Sequence, residues 1–469
     1  MKCIVWMTLA LTFLVSTGSA QVPAFESTGA WSVSFGSPVT GYGYGLATTD
    51  DVNGDGWADL VLADTVFGEI QIRPGLGDGT FASPIGYPSG GIPVAVTTAD
   101  LNEDGMPDIA CCNAFGSSIG LSGGSVSVLL SASTGGFAPV QVYPAGSKPV
   151  RVTAGDLDLD GHVDLVIVDE EDSTVSLMAG NGTGGLAAPL VNFIEIDDSL
   201  ESVTIDDLDQ NGIPDLIVPC PLQDLVAVLL GTGGGQYQPA MLYDAGDNPG
   251  FIAIDDYDED GWLDVAANNR NGGSVSILYG IGFGLLAPYQ EIVIGSTPTL
   301  IRDLDLTGSG DPALAVTLDT EHAVRLLWGL ESSPVPQVST LALTFAPDYA
   351  LTDDLDADGR MDIVAISKIE SVVEVWLNRS TPPGFIRGDL DDDATITVAD
   401  GVTLLAVLFQ GATEDCPDRA DTNDDGALDI ADAVTLFESA VGAGALPAPT
   451  ACGPDPTPDS LPPCDAGCP

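Results

Sequence analysis

One nine-residue pattern recurs seven times in this chain, and it limits the fold more than any other feature. In its best copies it reads Asp-x-Asp/Asn-x-Asp-Gly-x-x-Asp. The copies start at Asp51, Asp100, Asp156, Asp207, Asp256, Asp303 and Asp354. They lie roughly 50 residues apart, which is the length of one propeller blade. Each copy is preceded by a short β-prone segment, such as residues 94–97, and followed by an apolar run, such as 165–168, 216–218 or 363–366. A run that is apolar on both faces suits a strand buried between stacked sheets. Alternating segments such as 125–129 and 274–278 supply a third strand, and stretches such as 137–142 a fourth.

This organisation predicts a mainly β chain: a seven-bladed β-propeller over residues 21–380, followed by a small α-helical module. The seventh repeat stops after its third strand, at residues 372–377. The segment Trp31-Ser32-Val33-Ser34-Phe35 is a spare strand candidate near the other end of the array. Its insertion into the last blade would close the ring and cover an open sheet edge.

The repeated loops carry the donors that calcium prefers, six to eight hard oxygens in a flexible shell. Side chains at positions 1, 3, 5 and 9 offer carboxylate or amide oxygens, position 7 a backbone carbonyl, and the glycine at position 6 permits a tight turn. The expected ligands are Asp51, Asn53, Asp55 and Asp59 in the first copy, and Asp100, Asn102, Asp104 and Asp108 in the second. The third and fourth offer Asp156, Asp158, Asp160 and Asp164, then Asp207, Asp209, Asn211 and Asp215. The fifth offers Asp256, Asp258, Asp260 and Asp264, and the seventh Asp354, Asp356, Asp358 and Asp362. In the sixth, Asp303, Asp305 and Asp311 are the candidates, with Thr307 in place of the acid at position 5. Up to seven calcium ions are expected in this region.

The repeats resemble the FG-GAP or VCBS repeats of bacterial secreted proteins and of the integrin α-subunit propeller. The resemblance covers roughly residues 21–380. It implies a propeller and calcium held between the first two strands of a blade. It does not imply one ligand, because such propellers serve adhesion, sugar binding and occasionally polysaccharide cleavage.

Residues 381–385, opening Thr381-Pro382-Pro383-Gly384, read as a linker. Beyond it, residues 386–441 hold two acidic loops, each entering an apolar helix-like stretch. The first presents Asp389, Asp391, Asp393 and Asp400; the second presents Asp421, Asn423, Asp425, Asp429 and Asp432. Acids at positions 1, 3, 5 and 12 follow the EF-hand ligand logic, with Asp at position 12 here. Two such units resemble a dockerin domain, a generic EF-hand pair being the alternative, and imply up to two further calcium ions and a cohesin-like or other surface protein as partner. Ala394 replaces the turn glycine of the first loop, and Val398-Ala399 and Ile430-Ala431 stand where cohesin-contacting dockerins tend to carry hydroxyls. Residues 442–469 form a Cys/Pro-rich tail. Cys416–Cys452 and Cys464–Cys468 is the preferred pairing of three, whereas Cys111, Cys112 and Cys220 read as small core residues.

Residues 1–20 have the make-up of a secretory signal peptide, with Lys2, an apolar stretch and Gly18-Ser19-Ala20 before the expected cleavage. No later stretch is long and apolar enough to span a bilayer, so the expected location is extracellular or at the cell surface. With 69 acidic against 12 basic residues the formal charge is −57, which disfavours nucleic acid as a partner. Only two histidines occur, and no HExxH, Gly-x-Ser-x-Gly or phosphate-loop motif. The expected function is therefore binding or adhesion, with a glycan or a protein as the propeller's ligand. The rivals are an extracellular polysaccharide-degrading enzyme, a glycoside hydrolase or lyase carrying a dockerin, and a purely structural envelope component.

Overall fold

The computed structural model describes residues 23–33, 46–115, 123–132, 136–191, 199–306, 310–330 and 336–380, together with residues 404, 405, 408, 430 and 433–436. The chain divides into two compact units. One is Pro23–Leu306 with Gly310–Arg379; the other is Met1–Val22, Thr307–Ser309 and Ser380–Pro469.

The first unit is a seven-bladed β-propeller of antiparallel four-stranded sheets. Blade 1 runs Ala47–Asp50, Asp59–Asp64, Glu69–Arg73 and Ile85–Pro88. The first strands of the other blades are Ile92–Ala99, Pro149–Gly155, Thr204–Asp206, Pro249–Asp255, Pro298–Asp305 and Tyr349–Asp353. Each first strand lies against that of the next blade, and that of blade 7 lies against that of blade 1. The first strands therefore surround a common axis. The second strands carry most of the core: every residue of Asp59–Asp64, Asp164–Asp169, Asp215–Cys220 and Asp362–Ser367 is buried. Such strands are apolar on both faces because each sheet is sandwiched between two others. Cys111, Cys112 and Cys220 are buried and free, and burial pushes the Cys111 thiol up to about 12.

The ring is closed by the N-terminal segment, but by a strand that begins earlier than the alternation of residues 31–35 suggests. Phe25–Ser32 pairs antiparallel with Val372–Asn378, Phe25 opposite Asn378 and Ser32 opposite Val372. Val33 adds a bond from its amide to the Ser371 carbonyl at 2.9 Å, and Ser34 and Phe35 lie outside the described residues. The strand hides its pattern because a bulge between Ser27 and Gly29 breaks the period of two. Its anchors are the partly buried Phe25 and Trp31, which pack on two different core clusters.

Of the second unit, residues 404, 405, 408, 430 and 433–436 are helical, and Leu404, Ala433 and Leu436 are buried. The expected signal peptide and linker lie outside the described residues, as do the ligands Asp389, Asp391, Asp393, Asp400, Asp421, Asn423, Asp425, Asp429 and Asp432 and the cysteines Cys416, Cys452, Cys464 and Cys468. No helix among the described residues is long and apolar enough to cross a membrane.

Candidate metal loops

Each repeated loop connects the first and second strands of its blade. In six blades the residue before the loop pairs with the ninth loop residue: Asp50 with Asp59, Ala99 with Asp108, Gly155 with Asp164, Asp206 with Asp215, Asp255 with Asp264, and Asp353 with Asp362. The turn between them needs a left-handed residue at position 6. The glycine there has φ between +82° and +92° in all six, and a Cβ would meet no atom within 4 Å, so backbone conformation and not space demands glycine.

The carboxylates fold the loop inward. At position 1, Asp51 Oδ1 accepts from the Asp55 amide at 3.0 Å and Oδ2 from the Gly56 amide at 2.7 Å. Asp256 does the same with Asp260 and Gly261, and Asp354 with Asp358 and Gly359. At position 5, Asp55, Asp104, Asp160, Asn211, Asp260 and Asp358 each accept from the amide two residues on. At position 3, Asn102, Asp158, Asp209 and Asp258 accept from the position 5 amide.

The ninth residue has a second role that its spacing did not disclose. Asp59, Asp108, Asp164, Asp215, Asp264 and Asp362 are fully buried. One oxygen of each accepts from a backbone amide just beyond the third strand, or in blade 7 from its last residue: Gly75 at 2.9 Å, Ser131 at 2.7, Gly180 at 2.8, Gly231 at 2.7, Gly280 at 2.6 and Asn378 at 2.7. The ninth aspartate thus fastens the loop to the third strand of its own sheet. Burial pushes Asp59 and Asp215 up to about 6, and Asp264 and Asp362 up to about 7.

These loops suit a hard cation. Carboxylate oxygens of Asp156, Asp158 and Asp164 lie within 4.8 Å of one another, as do those of Asp207, Asp209 and Asp215, of Asp256, Asp258 and Asp260, and of Asp354, Asp356 and Asp362. Asp156 Oδ1 and Asp356 Oδ1 are buried with no hydrogen-bond partner among the described residues. Converging carboxylates with buried, unpartnered oxygens are costly unless a cation neutralises them. An all-oxygen donor set selects calcium over softer metals. In blade 1 the Asn53 Nδ2 group faces Asp59, and turning the amide over presents its oxygen instead; in blade 2 the Asn102 Nδ2 group faces Asp108 while its oxygen is taken by the Asp104 amide.

Two arginines belong to the seventh loop, and the acidic pattern gave no sign of them. Arg379 Nη1 lies 2.5 Å from Asp356 Oδ2 and 3.1 Å from Asp358 Oδ2, and Arg360 at position 7 also pairs with Asp358. This loop is partly neutralised by the protein itself.

The sixth loop sits in a different frame from the expected one. Leu304 pairs with Ala313, which makes Asp305 position 1 and Ala313 position 9. The Gly310 amide donates to Asp305 Oδ2 at 2.8 Å, and Gly310 has φ +89°, as position 6 does elsewhere. Asp311 then falls at position 7. Asp303 lies within the first strand opposite Leu314, where it accepts from the Tyr257 hydroxyl and from the Ile254 amide at 3.3 Å. In this frame positions 3, 5 and 9 are Thr307, Ser309 and Ala313, so Asp305 is the one carboxylate at a side-chain ligand position. The strand register thus separates Asp303, within the first strand, from Asp305 at position 1 and Asp311 at position 7. The sequence misled because Asp303-Leu304-Asp305-Leu306 repeats a dipeptide and Gly308 and Gly310 each fit position 6 of one frame.

Comparison with known proteins agrees with this architecture. The FG-GAP-like repeat family model matches residues 51–111 and 156–218, and the chain carries these repeats within a seven-bladed propeller. Human integrin alpha-7 is 31% identical over 162 residues, covering 30% of this chain and 13% of that protein. Rat integrin alpha-7 is 41% identical over 88 residues, covering 15% of this chain and 7% of that protein. The chain thus spans only a small part of these relatives. Among solved structures, a BBS1N chain in complex with ARL6DN has a TM-score of 0.54 at 14% identity, covering 76% of this chain and 98% of that one, a likeness of fold.

Proposed function

We propose that this chain is a secreted, calcium-stabilised propeller that acts as a binding or adhesion protein and is attached to a partner or matrix through its C-terminal module. The observation that carries this reading is the set of six loops in one register, each folding carboxylates inward at the corner between two strands. The residues that would hold calcium are those at positions 1, 3, 5 and 9 of blades 1 to 5 and 7. Bound there, the ion supplies charge neutralisation. The chain's own residues do the remaining work: the ninth aspartate tethers the loop to the third strand, and position 1 holds the turn through the amides at positions 5 and 6. The partial match to integrin alpha-7 supports adhesion as the role and the cell exterior as the place. A glycan or a protein on the propeller, and a cohesin-like or other surface protein on the C-terminal module, are the partners this reading calls for.

Calcium removal tests it. Ligands that bind only the folded state stabilise it by mass action. The melting temperature of the full chain should fall steeply in EGTA and recover with Ca²⁺ better than with Mg²⁺, whose small octahedral shell fits these loops poorly. An unchanged melt in EGTA rejects the calcium reading. Attachment is tested separately: deleting residues 386–469 should release the protein from its surface while leaving the propeller's ligand binding intact. Cleavage of a polysaccharide by the propeller would favour the enzyme alternative.

A further inference from the structure

Four of the seven first strands send side chains to one place on the propeller axis, and a fifth offers a backbone carbonyl there. Tyr349, on blade 7, is almost fully buried, and its hydroxyl donates to the Ala47 carbonyl of blade 1 at 3.3 Å. The same hydroxyl accepts from Arg302 Nη2 of blade 6 at 3.0 Å, and the Arg302 guanidinium carbon is 5.5 Å from the Tyr349 ring centroid. Arg151, from blade 3, also brings its charge to bear on this hydroxyl. On blade 5, Phe251 has the Arg151 guanidinium carbon 5.9 Å from its ring centroid. Strands of five blades can share one cluster only at the axis.

The charge balance of this cluster is unusual for the chain. Only 12 residues are basic, and two of them converge here on a neutral phenol. Arg302 directs its other donated bond to the Ile301 carbonyl at 3.3 Å. The nearby Asp303 is occupied by the Tyr257 hydroxyl and the Ile254 amide. A third guanidinium, Arg270, lies 5.6 Å from the Phe251 centroid and is paired with Glu201. Burial raises the Tyr349 hydroxyl, yet the charges of Arg302 and Arg151 bring it below its ordinary value, which marks a positive potential at this point. Both arginines are only half-buried, so solvent reaches them. Two residues along the strand from Arg151, and on the same side, Thr153 Oγ1 is buried with no partner among the described residues.

We propose that Arg151 and Arg302 form an axial anion site that takes the carboxylate of a slim, hydroxyl-bearing ligand, with Phe251 and Tyr349 holding the guanidinium planes and Thr153 receiving a ligand hydroxyl. Guanidinium forks match carboxylates in geometry, and stacking on aromatic rings fixes their orientation before the ligand arrives. An acidic sugar has both groups. The proposal rests on the reading of the propeller as a binding module but not on the metal loops.

Calorimetric titration of the calcium-loaded full chain tests it, with D-galacturonate, neutral D-galactose and acetylglycine as probes. Galacturonate should bind at least about tenfold tighter than galactose, since a charge-assisted hydrogen bond supplies that much. Acetylglycine should bind more weakly than galacturonate but better than galactose; parity with galacturonate would overturn the hydroxyl part of the proposal. Arg302→Gln and Arg151→Gln should each cut galacturonate affinity about tenfold, while Arg302→Lys retains part of it and Arg325→Gln, in a surface pair with Glu321, leaves it unchanged. Equal binding of galacturonate and galactose, or no binding of galacturonate to folded wild-type protein, overturns the proposal and leaves the arginines as a seal of the axis. The wild-type protein alone decides between these outcomes, so an axial variant that fails to fold does not protect the idea. Loss of cell-surface adhesion with galacturonate binding intact would instead count against the adhesion reading.

Discussion

Asp303 gives the sharpest test of the sixth-loop frame. If it were a calcium ligand, replacing it would remove an ion; if it is a strut, calcium content should not change. It is half-buried beside Tyr257, which is itself fully buried, and the loss of hydration pushes its carboxyl up to about 6. Tyr257→Phe removes one hydrogen bond to a charged acceptor, worth about 1.5–3 kcal/mol. Asp303→Ala leaves the Tyr257 hydroxyl without its acceptor, at a cost of about 1–3 kcal/mol. Asp303→Asn keeps an acceptor and the volume while removing a half-buried charge, so its effect should stay within about 1 kcal/mol. For a propeller of this size each kcal/mol moves the melting temperature by about 1.4 °C, so Tyr257→Phe should lower it by about 2–4 °C. The drop should be the same in EGTA as in calcium. In a double-mutant cycle, Tyr257→Phe with Asp303→Ala should cost less than the two single changes together. Calcium counted by elemental analysis of the full chain should be unaltered by Asp303→Asn and lower by one ion for Asp258→Ala. Loss of one ion in Asp303→Asn would refute the frame and restore Asp303 as a ligand.

The pH dependence of stability should change sign with calcium. Without metal, Asp264 and Asp362 hold protons up to about 7 in the folded chain against 3.8 as the ordinary value, so their stabilising contribution is present at low pH and lost as pH rises through 7. The melting temperature in EGTA should therefore rise as pH falls from 8 towards 5, whereas in calcium it should fall as protons compete for the ligands; parallel curves would reject this account. Deleting Phe25–Ser32 should expose the edge strand Val372–Asn378 and cause aggregation, measured by light scattering, and a soluble monomer of unchanged melting temperature would show that closure does not depend on it. Arg379→Gln should tighten calcium binding at the seventh loop severalfold, because it removes a cation 2.5 Å from Asp356; equal or weaker binding would mean that Arg379 is part of the ion's support and not its competitor.

What the sequence disclosed follows from the kind of constraint each residue answers to. Loop carboxylates and the glycine at position 6 answer to a local turn, so their spacing survives translation into one dimension, and six loops stand in the register that the spacing predicts. The ninth aspartate also fastens the third strand, a bond that spans 16 residues in five of the blades and 23 in blade 2. The interval of 16 recurs, but its far end is a backbone amide that no side-chain type marks. Arg151, Arg302 and Tyr349 are brought together by ring closure alone. The sixth loop is different, because its signal was present and was outweighed. Proline stands at position 8 in two undisputed copies, Pro107 and Pro214. In the frame starting at Asp305, Pro312 takes that same position. In the frame starting at Asp303 it would fall one residue beyond the ninth, inside the second strand, where proline removes a ladder amide and is disfavoured in a central strand. The count of aspartates favoured the wrong frame and the backbone requirement of one proline the right one. In repeats of this kind the residue that restricts the backbone fixes the frame, because the ladder cannot shift to accommodate it, whereas a missing carboxylate merely leaves a loop without an ion.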